Sequence, residues 1–302
     1  ALYAFFLMIE LVPSISTQTV NVVQTASSVG IPDIVTGVIV TTLVGLVVVG
    51  GIKRIAQVAS RLVPLMALLY IGTALAIILL NVDKVPGVLL MIVEHAFSPT
   101  AALGGFAGSS IAATLRWGVA RGCYSNEAGM GTASIAHAAA VTDHPARQAM
   151  WGVFGIMGDT IIICTTTAFV VLVTGVWTAV PPGEAGSMPA LAFQQLLGAG
   201  LGGGIVTLCL LLFVISTIIV VIFFGEKQAE YLFGIRFSKV MRGVYLAAIL
   251  AGSLIELEFV YQFLDILLAT IVVPNMIGLI LMAGQVKELK DEFLNLVVHR
   301  DT

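Results

Sequence analysis

Charge is scarce in this sequence. Only 10% of its 302 residues are Asp, Glu, Lys or Arg, against roughly 25% in soluble domains, and 59% are hydrophobic with a mean hydropathy of +1.06. A soluble globular domain is therefore excluded, and the chain reads as an integral membrane protein. Cysteine is also scarce. Cys123, Cys164 and Cys209 have no paired spacing, which indicates neither a disulfide framework nor a metal cluster, and they read as small core residues. The histidines, His95, His137, His144 and His299, are scattered, so the ligand spacing of a zinc hydrolase is missing. There is no phosphate-binding loop and no nucleophile elbow, and an enzyme is not expected. A membrane enzyme would need Glu127 and His137 to meet across a wet pocket. Strands of about ten alternating residues, the mark of a membrane barrel, are absent too. The chain opens on Ala1, in an apolar run without a basic leader, so it reads as having no signal peptide and as lacking its beginning.

What is present is a series of apolar runs near 20 residues, the length a helix needs to cross about 30 Å of hydrocarbon. Eight spans are expected, at about 2–29, 34–51, 62–80, 109–141, 149–177, 203–224, 244–255 and 260–283. Pro13 interrupts the first, and the fourth is broken. Short helices are expected at 85–97 and 189–197, and a charged amphipathic tail from Gln285. Cytoplasmic loops are enriched in Lys and Arg. With alternating spans, Lys53, Arg54, Arg61, Arg147, Lys227, Arg236, Lys239, Arg242, Lys287, Lys290 and Arg300 share one face. They are eleven of the 14 basic residues; only Lys84 lies opposite, and Arg116 and Arg121 flank the broken span. This asymmetry predicts a cytoplasmic C-terminus.

The break is the chemically specific part. Ser125, Asn126, Glu127, Gly129, Gly131 and Thr132 fall within eight residues, between an apolar run and an alanine-rich one. Unwound backbone is tolerated at membrane depth only where it is buried in protein or lines a wet cavity. Gly129 and Gly131 permit backbone angles that a Cβ forbids, and with their polar neighbours they favour a break over simple helix packing, so residues 124–131 are expected to be unwound. Its half-helices would then offer free N–H groups on one side and free carbonyls on the other, which suits a zwitterion and a small cation. Glu127 costs roughly 2.5–3.5 kcal/mol to insert at a helix centre. Two readings stand side by side: it braces the break or couples to a cation, or it caps freed amides. Arg121 is a possible partner for Glu127 or the end of the first half-helix. His137 reads as a structural residue.

Elsewhere, Asn21 and Gln24 share a helix face with Thr17, Gln18 and Thr25 nearby, more polar groups than packing needs, and this face is expected to line a cavity. Ser216 and Thr217 form a hydroxyl pair in the sixth span. Hydroxyls are hard ligands of the type small cations prefer, but bonds back to their own helix are favoured by composition alone. Asp159 reads as buried and partnered. Asp265 and Pro274-Asn275 interrupt the last span, Pro274 as a kink.

From Arg121 to Ala140 the sequence resembles the alanine or glycine:cation symporter family, part of the amino acid-polyamine-organocation superfamily. Its signature reads Arg-Gly-x-Phe-Ser-Asn-Glu-Ala-Gly-x-Gly-Ser-Ala-Pro-Ile-Ala-His, with Tyr124, Thr132 and Ser134 standing here for Phe, Ser and Pro. Further matches run in order at Asn21 to Gln24, His144 to Gln148, Gly158 to Thr160, Cys164 to Ala168, Ser216 to Ile219, Gly225 to Lys227, Glu230 to Gly234 and Pro274-Asn275. The resemblance implies an all-α, leucine-transporter-like fold of inverted repeats. The eight spans then stand for helices three to ten, with helices one and two lacking. The chain is one transmembrane domain, 1–302, with residues 1–81 the remainder of the first repeat, 109–283 the second and 285–302 the tail.

The function implied is symport of a small neutral amino acid (alanine, glycine or serine) with sodium as coupling ion and no other cofactor, in the inner (plasma) membrane; the lipid bilayer is a partner and nucleic acid is not. By the same resemblance Gln24, Tyr124, Ser125, Asn126, Gly129, Thr217 and Val221 belong to the substrate pocket. Glu127 and Asp159 brace the break or couple it, and Ser216 with Thr217 form a sodium position. Many members carry Trp where this chain has Val221, so the pocket is expected to be wider and restriction to alanine and glycine is not implied. The alternative, prompted by Val221 and the lacking helices, is a non-transporting sensor or degenerate scaffold of the same fold.

Overall fold

The computed structural model describes residues 1–97, 115, 118–127, 129–198 and 200–298. It is all helical, with no strand among the described residues. α1 spans Leu2–Ser27, α2 Asp33–Val48, α3 Gly51–Leu80 and α4 Val85–Phe97. Residues 118–125 are helical, and after an irregular stretch α5 covers Thr132–His137. α6 (Pro145–Ile156) passes through a wider π-helical segment, Met157–Cys164, into α7 (Thr165–Thr174). Two 3-10 turns, Val176–Thr178 and Pro182–Ser187, lead to α8 (Met188–Leu197). The long helices α9 (Leu201–Phe233), α10 (Ile235–Gly252) and α11 (Leu257–Val298) complete the chain.

α1 is the hub. It packs against α9, α10 and α11, and Leu7, Leu11 and Ile15 join Val40 and Val44 of α2, Ile218 and Ile222 of α9 and Tyr245 and Ile249 of α10 in the main core. Small residues allow this closeness. A Cβ on Gly252 would stand 2.7 Å from the Ser16 carbonyl oxygen, and the Ser16 hydroxyl donates to the Ala248 carbonyl at 3.1 Å. Pro13 does not end α1. The Thr17 hydroxyl donates to the Pro13 carbonyl at 2.9 Å and that of Thr19 to Ile15 at 3.0 Å, the bonding back to their own helix that Ser and Thr make in membrane helices. A second core joins α3, α7, α8 and α9 around Tyr70 and Phe193, whose rings stack 5.6 Å apart.

The outer surface is apolar. Leu68, Leu79, Ile280 and Leu281 are each at least 70% exposed, an arrangement that water penalises and lipid does not. Among the described residues, five helices are long and apolar enough to cross a membrane: Leu2–Ser27, Lys53–Leu80, Pro145–Thr174, Gly202–Phe233 and Leu257–Leu296. The protein is a multi-pass membrane protein.

Several expectations change. Lys53, Arg54 and Arg61 lie on the first turns of α3 rather than in a loop. The tail from Gln285 continues α11, which runs through Pro274, because nothing between 283 and 285 stops a helix except Gly284. Only Cys209 is buried among the cysteines, while Cys164 is exposed. The start of the broken span at 109, Arg116, His299 and Arg300 lie outside the described residues.

Gly252→Val should break the α1–α10 contact, because overpacking costs typically 1–3 kcal/mol. Thermal unfolding of the detergent-solubilised protein is expected to shift down by several degrees, whereas Gly278→Ala, which meets nothing within 4 Å, should leave it unchanged or raise it.

Candidate functional site

The helix at 118–125 stops where Glu127, Gly129 and Gly131 adopt φ of 55°, 75° and 82°. Left-handed backbone is uncommon for a residue with a Cβ, so three such residues in five mark a genuine break. It begins after Ser125, slightly later than the expected start at Tyr124. The freed groups are held by side chains from two other helices. Tyr3 of α1 donates to the Met130 carbonyl at 2.8 Å, and Asn275 of α11 donates through Nδ2 to the Gly129 carbonyl at 2.8 Å. Within the break, the Thr132 hydroxyl donates to Glu127 Oε2 at 2.5 Å. Tyr124 and Ser14 share a hydrogen bond of 2.8 Å. A Cβ on Gly131 would meet the Asn275 side chain and lie 3.0 Å from the Tyr3 hydroxyl.

Beside the break is a cavity of about 690 Å³. Tyr124, Ser125, Asn126 and Glu127 line it, with Leu11, Ser14 and Gln18 of α1, Asp159 of the π-helical segment, and Thr217 and Val221 of α9. A second cavity of about 620 Å³ shares Glu127, Asp159, Thr217 and Val221 and adds Ser216. π-helical segments are rare and cluster at functional sites. This one brings Asp159 Oδ2 to 3.2 Å from the donating Ser125 hydroxyl.

The predicted site residues thus fall into three groups. Tyr124, Ser125, Asn126, Glu127, Asp159, Thr217 and Val221 meet at the first cavity, and Gly129 lies in the break behind it. Ser216 faces the second cavity, and its hydroxyl donates back to the Phe213 carbonyl at 2.8 Å. Gln24 does not join them. Its amide donates to the Gly183 carbonyl at 2.7 Å and accepts from the Gly186 N–H at 3.0 Å, and the Asn21 amide bonds its own helix at Thr17. The reason is axial distance: six residues separate Gln24 from Gln18, about 9 Å of helix rise. The face of α1 that reaches the cavity is Leu11, Ser14 and Gln18, a spacing of three and four that hydroxyl and amide content alone did not single out.

One partner, one burial and one helix length also differ from expectation. Arg121 pairs with Asp265 rather than Glu127, with its guanidinium 4.5 Å from the Tyr261 ring centroid. Asp159 is partnered but exposed rather than buried. The second half-helix, α5, has only six residues, too few for the dipole expected of it. His137 lines the cavity with Nδ1 2.7 Å from the Gln148 amide. Sequence reasoning missed Glu10, an acid in the middle of α1 with no exposed surface; its signal was a carboxylate inside the run Leu7 to Val12.

This arrangement of a broken helix and a polar cavity has relatives. The family described as the sodium:alanine symporter family matches residues 1–300. The chain belongs to that family. Among its relatives, an uncharacterized transporter, YflA, of Bacillus subtilis is 49% identical, covering 96% of this chain and 62% of its own. An uncharacterized transporter of Haemophilus influenzae is 43% identical over 89% of this chain and 59% of its own. The sodium/alanine symporter AgcS of Methanococcus maripaludis is 36% identical over 88% and 59%. The chain therefore spans about three fifths of the length of these relatives. The family match starts at residue 1, so it does not bear out the expectation that N-terminal helices of the family are lacking. The family is described as one of symporters, a class of transporter and not of enzyme.

Gly131→Ala should be destabilising by about 1–2 kcal/mol from the left-handed backbone alone, with the Asn275 clash added. A fall in melting temperature larger than that of Gly129→Ala, whose nearest contact is Met276 Sδ at 3.4 Å, is the expected outcome.

Proposed function

We propose that the protein is a secondary transporter that moves a small neutral amino acid, alanine, glycine or serine, together with sodium by alternating access. The observation that carries this reading is the break at 126–131, held open beside a cavity whose volume lies within the roughly 300–1,000 Å³ range of small-molecule sites. Sodium as the coupling ion is supported by the family and by the name of AgcS. In this reading the chain is part of a leucine-transporter-like pair of inverted repeats, with 1–81 the remainder of the first and 109–283 the second, in the plasma membrane with residues 285–302 on the cytoplasmic side. Basic residues at the start of α3 and between α9 and α11 support that orientation.

In this reading the Tyr124 ring lies against the substrate, Ser125, Asn126 and Gly129 offer polar groups of the break, and Thr217 offers a hydroxyl. Glu127 braces the break through Thr132, and Asp159 couples to it through Ser125. Val221 leaves room for a side chain larger than that of alanine. Ser216 and Thr217 supply hydroxyl ligands for sodium, which requires the Ser216 hydroxyl to leave the Phe213 carbonyl. Gln24 is left out of the pocket, since its amide is committed to the connector.

The experiment is uptake of labelled alanine, glycine and serine into proteoliposomes with and without an inward sodium gradient. Uptake should rise with the gradient, and Thr217→Val should lower it about tenfold, the worth of one hydrogen bond of about 1–1.5 kcal/mol. Uptake indifferent to sodium defeats the coupling, and binding without uptake favours a sensor.

A further inference from the structure

Glu10 is the acid that the reading above leaves unused. It is completely buried in α1, and neither carboxylate oxygen has a hydrogen-bond partner. Its position is fixed by two contacts. Tyr3, two turns before it, holds the Met130 carbonyl, and Ser14, one turn after it, holds the Tyr124 hydroxyl. Residues spaced by seven and four share one helix face, so Glu10 lies on the face of α1 that is fastened at Tyr124, just before the break, and at Met130 within it, with Glu127 between those two points in sequence. The two carboxyl groups interact electrostatically. They are unequally supported: Glu127 accepts the Thr132 hydroxyl, and Glu10 accepts nothing.

We propose that Glu10 is a proton-binding site, and that Glu10 and Glu127 together hold one proton at the interface between α1 and the break. An isolated carboxylate at this depth is costly, and two carboxylates that repel each other, with one hydroxyl donor for the pair, favour holding a single proton. Among the described residues, the other groups electrostatically coupled to Glu10 are the Tyr3 hydroxyl on its own helix, Tyr124 just before the break, and Tyr245 of α10; Arg121, 5.8 Å from the Tyr124 ring centroid, is paired with Asp265. The described residues hold no cluster of acidic, His or Cys side chains suited to a metal ion, and a proton needs no such shell. The step is simple: the Glu10 carboxylate gains H⁺ from water of the adjoining cavity, at Leu11 and Ser14, and returns it there, with no other bond made or broken. Because Tyr3 and Ser14 tie this face to the break, opening of the break exposes Glu10, and closure seals it. Its part in transport rests on the symport reading, whereas proton binding itself does not.

Infrared difference spectra of the purified full chain, recorded from acid to alkaline pH, test the site directly. The wild type should show a protonated carboxylic acid band that titrates, and Glu10→Gln should remove it; a band unchanged in Glu10→Gln overturns the proposal. Glu127→Gln should shift the midpoint of the same band, and an unshifted midpoint overturns the pairing. Glu10→Gln keeps the size of the side chain and removes only a charge, and its melting temperature checks the fold. In proteoliposomes, sodium-driven alanine uptake by the wild type should change at least tenfold over the pH range in which the band titrates, and Glu10→Gln should flatten that profile to less than twofold. A wild type that takes up no amino acid defeats the symport reading while the infrared result stands; a wild type that transports with the same pH profile as Glu10→Gln defeats the role of Glu10.

Discussion

A helix broken inside hydrocarbon is stable only if the backbone groups that the break frees find partners in the protein or in a wet cavity. Here two of the freed carbonyls are held from two directions. Tyr3 of α1 holds the Met130 carbonyl and Asn275 of α11 holds that of Gly129, so the break is fastened between the two helices instead of floating in a loop. The left-handed angles at Glu127, Gly129 and Gly131 follow from it, and a Cβ on Gly131 has no space because Asn275 must come so close.

The rest of the structure serves the placement of α1. Its small and hydroxylated residues let α10 approach at Ser16 and Gly252, and the Tyr245 hydroxyl reaches back to the Met8 carbonyl at 2.9 Å. α9 lies along the other side, which puts Thr217 and Val221 opposite Tyr124 to Glu127 across the cavity. The wider turn at Met157–Cys164 aims Asp159 at Ser125. Three unrelated segments therefore converge on one polar space in an otherwise apolar molecule, and of the acids in or behind it Glu127 has one hydroxyl donor, Thr132, Asp159 has one, Ser125, and Glu10 has none.

Much of this was legible in the chain. The short helices at Val85–Phe97 and Met188–Leu197 follow from local pattern and from the Pro and Gly residues beside them, and the break was found by its glycines and polar cluster because no membrane helix tolerates that composition by chance. Boundaries were less legible. Apolar content alone does not say where a membrane helix ends, so α9, α10 and α11 run past their expected limits into charged sequence that helical bonding carries as readily as an apolar one.

By itself, the sequence determined the class of solvent, the helical architecture and the location of the break, since composition and glycine placement are local and require no knowledge of neighbours. Only the tertiary structure decided the partners. Arg121 turned to Asp265, Gln24 turned to the connector, and Glu10 was buried with no hydrogen-bond partner, because each outcome depends on which helix lies alongside and at what height, and a one-dimensional pattern holds neither quantity.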